Sequence, residues 1–392
     1  SISIFFLFIV LEAFINTLVT SVNTTGRTAY VKDNAAVTSV IKQVAKEDTS
    51  FYRIEKLKRR TKNDSAWHHY KGVSIFSSTA NDGFADLLAG LGCEESTNSY
   101  SYYGSTPLTE ALLSVKYVLS SELIDDTELR TFYTQKDSMY LYKNQYTLPL
   151  GFLIPDTLED KWSHRTNNPF AVQNSFADLA ANVSPIFSQA SYKIKGNTVD
   201  IYPEHDSYLY IYVSSDGEDF AATFTDGSGS TFREPETYTG IRNRYIIDLG
   251  RCPAGSHIAF SATGKDSIHA NVYSLNVNNF KTLHQTLSER GLEITDWKET
   301  RIKGTITAES DMLLLTSILY EKGWSVKIDG KKVPVQAFKD ALVSVPVTAG
   351  THEIVFSYSP YGLNVGLLIS AVSLAALIGI IVWKIQKKKE NM

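Results

Sequence analysis

Residues 363–383, LNVGLLISAVSLAALIGIIVW, form an apolar run without a charged side chain, and Lys384 follows it directly, with more lysines at 387–389. About 20 apolar residues in a helix cross the roughly 30 Å hydrocarbon core of a bilayer. Lysines that border such a span favour the cytoplasmic side. We therefore predict a transmembrane helix at 361–383 and a cytoplasmic tail at 384–392, with the bulk of the chain outside the cell. The alternative is a buried core helix with a solvated basic end.

A second apolar stretch opens the chain, where residues 4–11 read IFFLFIVL and Glu12 and Asn16 follow. A cleaved signal peptide would begin with basic residues, but no Lys or Arg precedes Arg27. We interpret 1–22 as a transmembrane helix truncated at its start. Glu12 and Asn16 lie four residues apart and share one helix face, which we expect to contact further transmembrane helices. Placement near the membrane interface is the alternative.

The segment between the two spans changes its pattern along the chain. Residues 34–47 show apolar positions at helical spacing, and Thr106-Pro107 and Asn168-Pro169 are typical of helix N-termini. Short alternating strands separated by turns dominate after about 190. We predict a membrane-anchored α+β fold, in which an extracellular α+β domain is followed by two β-sandwich modules and flanked by two transmembrane helices. The predicted boundaries are 23–155 for the α+β domain, 156–190 for a helical connector, 191–290 for module 1 and 291–360 for module 2.

Two stretches of the strand-rich region resemble each other. Residues 253–261 read PAGSHIAFS, and residues 348–357 read TAGTHEIVFS. This similarity is the basis for two successive modules. Because His257 and His352 follow Ala-Gly in both, we expect a structural role near a turn for each ring rather than chemistry.

Asp-Gly dipeptides precede both stretches, at Asp226-Gly227 and Asp329-Gly330. Asp-Gly between alternating strands predicts a hairpin, because a type I′ turn needs positive φ at both central residues. Trp324 alternates with apolar residues into the second dipeptide, so we expect it to be buried. Trp324→Ala would then destabilise module 2 by roughly 3–5 kcal/mol.

Composition excludes several classes of function. A net charge of −4, spread evenly, offers no nucleic-acid-binding face. The basic cluster of residues 56–62 is most simply a solvated segment, and contact with anionic lipid heads or an anionic wall polymer is the alternative. Two cysteines, Cys93 and Cys252, are too few for a disulfide scaffold, and whether they pair is left open.

Recognisable catalytic and cofactor motifs are missing from the sequence. It contains no P-loop, dinucleotide fingerprint, nucleophile elbow, zinc-protease helix or Asp-x-Asp pair. His68-His69 suggests a metal, but neighbours on a strand point to opposite faces, so we predict no metal site and no cofactor.

Aromatic clusters supply the candidates for a carbohydrate-facing surface. An aromatic ring can pack on the C–H face of a sugar while neighbouring polar groups bond its hydroxyls. Packing between the domain and the membrane is the alternative. The candidate glycan-facing residues are Trp67, His68, His69, Tyr70, Tyr100, Tyr102 and Tyr103.

Several motifs, in this order, resemble the outer domain of the YfhO family of bacterial membrane proteins. The match extends over nearly the whole chain. It rests on FYRIE at 51–55, FSS at 76–78, LSVKYV at 113–118, YKN at 142–144 with LP at 148–149, GWSVKIDG at 323–330, and AGTH at 349–352 leading to FSY at 356–358.

The resemblance implies a polytopic protein similar to GT-C glycosyltransferases, which act on the outer face of the membrane. Such enzymes take a polyprenyl-phosphate-linked sugar as donor, and some family members are implicated in glycosylating teichoic acids. Their catalytic acid or base lies in an early outer loop. We therefore assign no catalytic residue to this chain and expect that residue upstream of it.

The leading hypothesis is the C-terminal extracellular portion of an integral-membrane glycosyltransferase. Its expected partners are the lipid-linked donor, an envelope glycopolymer acceptor, membrane lipid and the remaining transmembrane helices. The alternative is a non-catalytic, membrane-anchored receptor or scaffold that binds glycan or protein in the cell envelope. An exported hydrolase would need a nucleophile–base arrangement that the sequence does not offer.

Overall fold

The computed structural model describes residues 2–22, 31–124, 128–215, 217, 219–241, 244–264 and 267–390. Its helices and strands confirm the coarse prediction of an α+β fold. The helices are α1 (Ile2–Val22), α2 (Asn34–Glu47), α3 (Asp64–His68), α4 (Asp82–Gly90), α5 (Pro107–Leu112), α6 (Leu158–Lys161), α7 (Pro169–Ala181), α8 (Val277–Glu289) and α9 (Leu363–Glu390).

The region before residue 155 is built around a four-stranded sheet of order β1-β5-β7-β6. Strand β1 runs parallel to β5, whereas the other pairs are antiparallel. Helix α2 places Val37, Val40 and Val44 in one core with Leu119 and Leu141 of the sheet, as its helical spacing predicts. The strands are β1 (Arg53–Lys56), β5 (Val115–Ser120), β6 (Arg130–Lys136) and β7 (Met139–Asn144).

Short helices and a three-stranded sheet of order β2-β4-β3 complete this region. Helix α5 begins as the sequence predicts, because the Thr106 side chain accepts a hydrogen bond from the Thr109 backbone and Pro107 opens the first turn. Asn168 caps α7 in the same way, through the backbone of Phe170 and Ala171. The strands are β2 (Ile75–Phe76), β3 (Glu95–Ser96) and β4 (Ser99–Tyr100).

Module 1 consists of two sheets that share one hydrophobic core. One sheet is five-stranded, in the order β10-β11-β16-β13-β14, and the other has the order β15-β12-β17-β9. The strands are β9 (Phe187–Gln189), β10 (Tyr192–Lys195), β11 (Thr198–Ile201), β12 (Ser207–Ser215), β13 (Phe220–Thr225), β14 (Thr231–Tyr238), β15 (Ile246–Cys252), β16 (His257–Ala262) and β17 (Ile268–Leu275).

Module 2 also has two sheets around a common core, in the orders β18-β19-β25-β21-β22 and β23-β24-β20-β8. Its strands are β8 (Gly151–Ile154), β18 (Glu293–Lys298), β19 (Arg301–Ala308), β20 (Met312–Leu319), β21 (Trp324–Ile328), β22 (Lys331–Val333), β23 (Gln336–Phe338), β24 (Leu342–Val347) and β25 (Gly350–Tyr358).

Strand β8 corrects the predicted extent of module 2. The sequence pattern assigns residues 151–154 to the first region, yet β8 pairs antiparallel with β20 and forms the edge of a module 2 sheet. A short apolar strand that is buried along its length, as β8 is, carries no pattern that selects its partner. Residues 291–360 therefore do not form module 2 alone.

The two Asp-Gly dipeptides form different turns. Asp329 and Gly330 have φ values of 50° and 78°, and the hairpin joins Ile328 to Lys331 as a type I′ turn would. Asp226 instead begins a longer loop, in which its carboxylate accepts hydrogen bonds from the backbone of Ser228 and Ser230. The hairpin prediction is confirmed at both places, and the type I′ geometry only at the second.

Helix α9 is long and apolar enough, over Leu363–Lys387, to cross a membrane, and none of this stretch is buried in the protein. This exposure contradicts the alternative of a buried core helix. In α1 the apolar stretch is the shorter Ile4–Val19, and its side chains are exposed as well. A transmembrane role for α1, and the side of the membrane on which the modules lie, stay predictions.

Candidate functional site

The predicted aromatic surface at 67–70 lies at the end of helix α3 rather than on a strand. Asp64 holds the start of this helix by accepting hydrogen bonds from the backbone of Arg60, at 2.7 Å, and Thr61, at 2.9 Å. Trp67 is half exposed and His69, with φ of 58°, is exposed at the helix end. Only these two side chains of the stretch present most of their surface to solvent.

His68 and Tyr70 face inward from the same turn. The two rings stack with an interplanar angle of 7° and centroids 6.5 Å apart. Burial lowers the pKa of His68 and raises that of Tyr70, so both side chains are neutral at physiological pH. The strand geometry assumed for His68-His69 is therefore wrong, and His68 packs as an interior ring.

Tyr100 and Tyr102 correct the prediction of a second carbohydrate-facing surface, because both are buried in the core. Tyr100 packs edge-on against Phe84, with centroids 4.9 Å apart. The Tyr102 hydroxyl donates to the carboxylate of Glu110, which forms a buried ion pair with Arg130 at 2.6 Å. Buried tyrosines commonly satisfy their hydroxyls in this way.

Tyr103 belongs to a polar cluster that neutralises part of the basic segment at 56–62. The Arg59 guanidinium lies 3.8 Å from the centre of the Tyr103 ring and 2.6 Å from the Glu94 carboxylate. Lys62 contacts the same carboxylate at 3.1 Å, and the Ser101 hydroxyl donates to it at 2.5 Å. Burial would raise the pKa of Glu94, but these hydrogen bonds and cations lower it. The charged and polar groups of this cluster thus have their partners within the protein.

The FYRIE stretch, which carries part of the family resemblance, has a structural role. The Arg53 guanidinium donates to the Leu113 carbonyl at 2.6 Å and to the Ser317 hydroxyl and carbonyl at 2.8 and 2.7 Å. It therefore joins β1 to β20 of module 2. Glu55 is buried and accepts from the backbone of Val73 and Ser74, and burial raises its pKa.

The two cysteines are unpaired and buried, and they belong to different hydrophobic cores. Burial raises the pKa of the Cys93 and Cys252 thiols to about 12. Such thiols stay protonated at neutral pH and are poor nucleophiles. Within the described ranges, no group of three or more His, Cys, Asp or Glu side chains is arranged to hold a metal ion.

Glu12 and Asn16 lie in helix α1, where both are exposed. Their spacing keeps them on one helix face. Thr17, one residue further along, bonds its hydroxyl to the Ala13 carbonyl at 2.7 Å, a common way for hydroxyl side chains to be satisfied inside an apolar helix. The predicted contact of this polar face with further helices stays a prediction.

A cleft of about 480 Å³ on module 1 was not predicted from the sequence. It opens along the outer face of β12 and β17, beside the loop that precedes α7, and the Ile194 side chain of β10 forms part of its wall. The remaining lining residues are Asn167, Tyr212, Arg244, His269, Ala270 and Asn271.

Strand register fixes part of this cleft. Tyr212 and Asn271 are direct partners across β12 and β17, which places their side chains on one face about 5 Å apart. His269 lies two residues from Asn271 and therefore on the same face. Burial raises the pKa of Tyr212, with the nearby Arg244 opposing the shift, so the hydroxyl stays protonated and can donate a hydrogen bond.

The chain matches the family described as bacterial membrane protein YfhO over residues 1–370. It is 22% identical, over 89% of its length, to the uncharacterised protein YfhO of Bacillus subtilis (strain 168), and it spans 45% of that relative. Two solved structures of the arabinofuranosyltransferase AftD from Mycobacteria have low similarity to this chain. The match to the first has a TM-score of 0.20 and 12% sequence identity, and it covers 43% of this chain and 14% of the AftD chain. The match to the second has a TM-score of 0.20 and 9% sequence identity, and it covers 68% of this chain and 28% of the AftD chain. The family match over nearly the whole chain shows that the protein belongs to the YfhO family of bacterial membrane proteins.

Proposed function

We propose that this chain is the extracellular C-terminal portion of an integral-membrane glycosyltransferase. The enzyme would transfer a sugar from a polyprenyl-phosphate donor to an envelope polymer such as teichoic acid. The observation that most supports this proposal is the short link between module 2 and the helix α9, which is long enough to cross a membrane. Residues 359–362 alone separate β25 from α9, and the backbone of Ser359 is bonded to the Gly323 carbonyl at 3.1 Å.

This short link supports a position of module 2 close to the membrane surface. The sugar and phosphate of a lipid-linked donor lie at that surface, since its polyprenyl chain is held in the hydrocarbon. An acceptor polymer held by the modules would then be close to the donor. Holding two reactants in position removes much of the entropic cost of their reaction.

The chemistry of a lipid-linked donor fits an enzyme that acts outside the cell. Nucleotide sugars are cytoplasmic, whereas a sugar linked to polyprenyl phosphate is anchored in the membrane and can be used at its outer face. A positioned carboxylate would take the proton of the acceptor hydroxyl, and cationic groups would stabilise the departing phosphate. The chain covers 45% of the Bacillus relative, so we place these catalytic groups in the part of the full-length protein that it does not cover.

The test is a transfer assay with the full-length protein in proteoliposomes. The donor is a radiolabelled sugar on polyprenyl phosphate, and the acceptor is purified teichoic acid. We expect labelled polymer with the full-length protein and none with residues 1–392 alone in the same lipid. A nucleotide-linked sugar, supplied in place of the lipid donor, should give no product.

Two results would contradict the proposal in different ways. Transfer by residues 1–392 alone would place the catalytic groups inside this chain. Absence of transfer by the full-length protein, together with saturable binding of the acceptor, would favour the non-catalytic envelope receptor or scaffold.

A further inference from the structure

We propose that the cleft lined by Tyr212, Arg244 and His269 binds a phosphate-bearing glycan, and that it holds the acceptor polymer of the transferase. The assignment of this ligand as the acceptor rests on the proposed function. The binding itself rests on the chemistry of the cleft alone.

The polar side chains that line the cleft make no hydrogen bond or ion pair with any residue that the structure describes. Among the residues that the structure describes, Arg244 and His269 form no ion pair, and the side chains of Asn167, Tyr212 and Asn271 form no hydrogen bond. The cluster around Glu94 differs in this respect, since its arginine, lysine and serine all bond to one carboxylate. Polar side chains that line a cleft and have no described partner in the protein can form hydrogen bonds with a ligand.

The charge of the cleft selects an anionic ligand. Arg244 and His269 are exposed at its border, and none of the described lining residues is acidic. An arginine guanidinium matches the geometry of phosphate with two parallel hydrogen bonds, and it stays charged at any physiological pH. The even charge of the whole chain excludes a broad polyanion surface, but it leaves room for one local phosphate site.

The rest of the lining suits the sugar or polyol part of such a polymer. The half-buried Tyr212 offers both a ring and a hydroxyl, and Asn167 and Asn271 offer amides that can donate to and accept from hydroxyl groups. Ile194 and Ala270 add apolar surface for C–H groups. A cleft of this size accommodates a few units of a polymer rather than its full length.

Binding can be measured without any transfer reaction. Residues 1–392 in detergent micelles would be titrated by calorimetry with a short poly(glycerol phosphate) oligomer, with a neutral glucan oligomer and with inorganic phosphate. We expect saturable binding of the first probe and much weaker binding of the other two. Arg244→Gln should weaken binding about tenfold to a hundredfold, as loss of hydrogen bonds to a charged group does.

Matched variants separate the cleft from the general charge of the module. Lys193→Gln removes an exposed cation from β10, the strand that carries Ile194, and should leave the affinity unchanged. His269→Ala should weaken binding less than Arg244→Gln. Because Arg244 and His269 are exposed, these variants should melt at the temperature of the parent chain.

Four outcomes overturn the inference. The first is that Arg244→Gln binds the oligomer as tightly as the parent chain does, and the second is that Lys193→Gln loses as much affinity as Arg244→Gln. The third is that the neutral glucan binds as tightly as the oligomer, and the fourth is that inorganic phosphate does so. Failure of the proposed function is a separate result, since the oligomer can bind in the cleft whether or not the full-length protein transfers sugar. If transfer occurs, Arg244→Gln should raise the KM for teichoic acid and leave kcat unchanged.

Discussion

The two sandwich modules use the repeated stretch of sequence in the same place. Strands β16 and β25 each form the centre of a five-stranded sheet, in the orders β10-β11-β16-β13-β14 and β18-β19-β25-β21-β22. Phe260 and Phe356 are the matching aromatic residues, and both are fully buried. The sequence similarity therefore reflects an equivalent position of the central strand in the two modules.

The histidines of the repeat differ although their sequence contexts match. Module 2 has one more residue between its histidine and phenylalanine than module 1, and a shift of one residue moves a side chain to the opposite face of a strand. His257 bonds to Asp200 of β11 at 2.8 Å and stacks on Tyr202. His352 instead bonds to Asp329 in the hairpin turn, at 2.8 Å. The histidines of the two equivalent strands thus have different partners, a strand residue in module 1 and a turn residue in module 2.

The largest effect should come from the matched phenylalanines. Phe260→Ala and Phe356→Ala should each lower the free energy of unfolding of their own module by about 3–5 kcal/mol, because each leaves a cavity in a core. Trp324, expected to be buried, is only partly buried, against Tyr358 and the edge of the module 2 core. Trp324→Ala should therefore cost only about 1–2 kcal/mol. Amide hydrogen exchange resolves each module, and equal losses for Phe356→Ala and Trp324→Ala would contradict the assignment of the core.

The second comparison sets a buried arginine at the junction with module 2 against an exposed arginine within module 1. Arg53→Ala removes the bonds to Ser317 and leaves buried carbonyls without a donor, which should destabilise the junction with module 2 by roughly 2–4 kcal/mol. Arg251→Ala on module 1 breaks an exposed pair with Asp206 and should cost under about 1 kcal/mol. Thermal unfolding measures both, and a similar decrease in melting temperature would show that Arg53 does not join the regions.

The turns should respond differently to loss of glycine. Gly330 has φ of 78°, so Gly330→Ala should destabilise the hairpin by about 1–2 kcal/mol. Gly227 has no such backbone, and an added Cβ would meet the Gly255 oxygen at an ordinary 3.4 Å. Gly227→Ala should therefore stay within about 0.5 kcal/mol of the parent. Denaturant unfolding compares the pair, and a reversed order would contradict the two turn geometries.

The smallest effect should be the pH dependence that the His352–Asp329 pair gives to module 2. The hydrogen bond with Asp329 raises the pKa of His352, and the same bond lowers the pKa of Asp329. The histidine's contribution is present below its unfolded pKa and is lost as pH rises through the folded value. The aspartate's contribution is present above its unfolded pKa and is lost as pH falls through the folded value.

An NMR titration of the His352 ring should therefore give a pKa above the usual value of about 6.5. Asp329→Asn is the control, because asparagine tolerates the positive φ of the turn but carries no charge. It should return the pKa of His352 towards the usual value. A ring that titrates at the same pH in both proteins would show that the pair does not form.

Local patterns predicted the parts of the fold that local forces determine. The spacing of Val37, Val40 and Val44 and the caps at Thr106 and Asn168 are confirmed, because helix periodicity and capping act within a few residues. The partner of β8 and the burial of Tyr100 and Tyr102 depend on contacts between distant segments, and no short pattern encodes them.

The site residues divide in the same way. The aromatic residues at 67–70 were visible as a cluster in sequence, and only part of that cluster reaches the surface. The cleft joins Tyr212, Arg244 and His269 from separate segments, so it became visible only through the register of β12 with β17. Alternation of tyrosines at 208, 210 and 212 was the one available signal of an aromatic sheet face.

The side of the membrane on which the modules lie is the most direct test of the proposed function, because a lipid-linked donor outside the cell requires the modules to be outside as well. Cys93 and Cys252 are buried, which gives a low background for labelling with a membrane-impermeant maleimide. We predict that Lys332→Cys, on exposed β22, is labelled in intact cells, and that Lys389→Cys is labelled only after permeabilisation. Labelling of Lys389→Cys in intact cells, with Lys332→Cys protected, would contradict the proposed topology and the transfer reaction built on it.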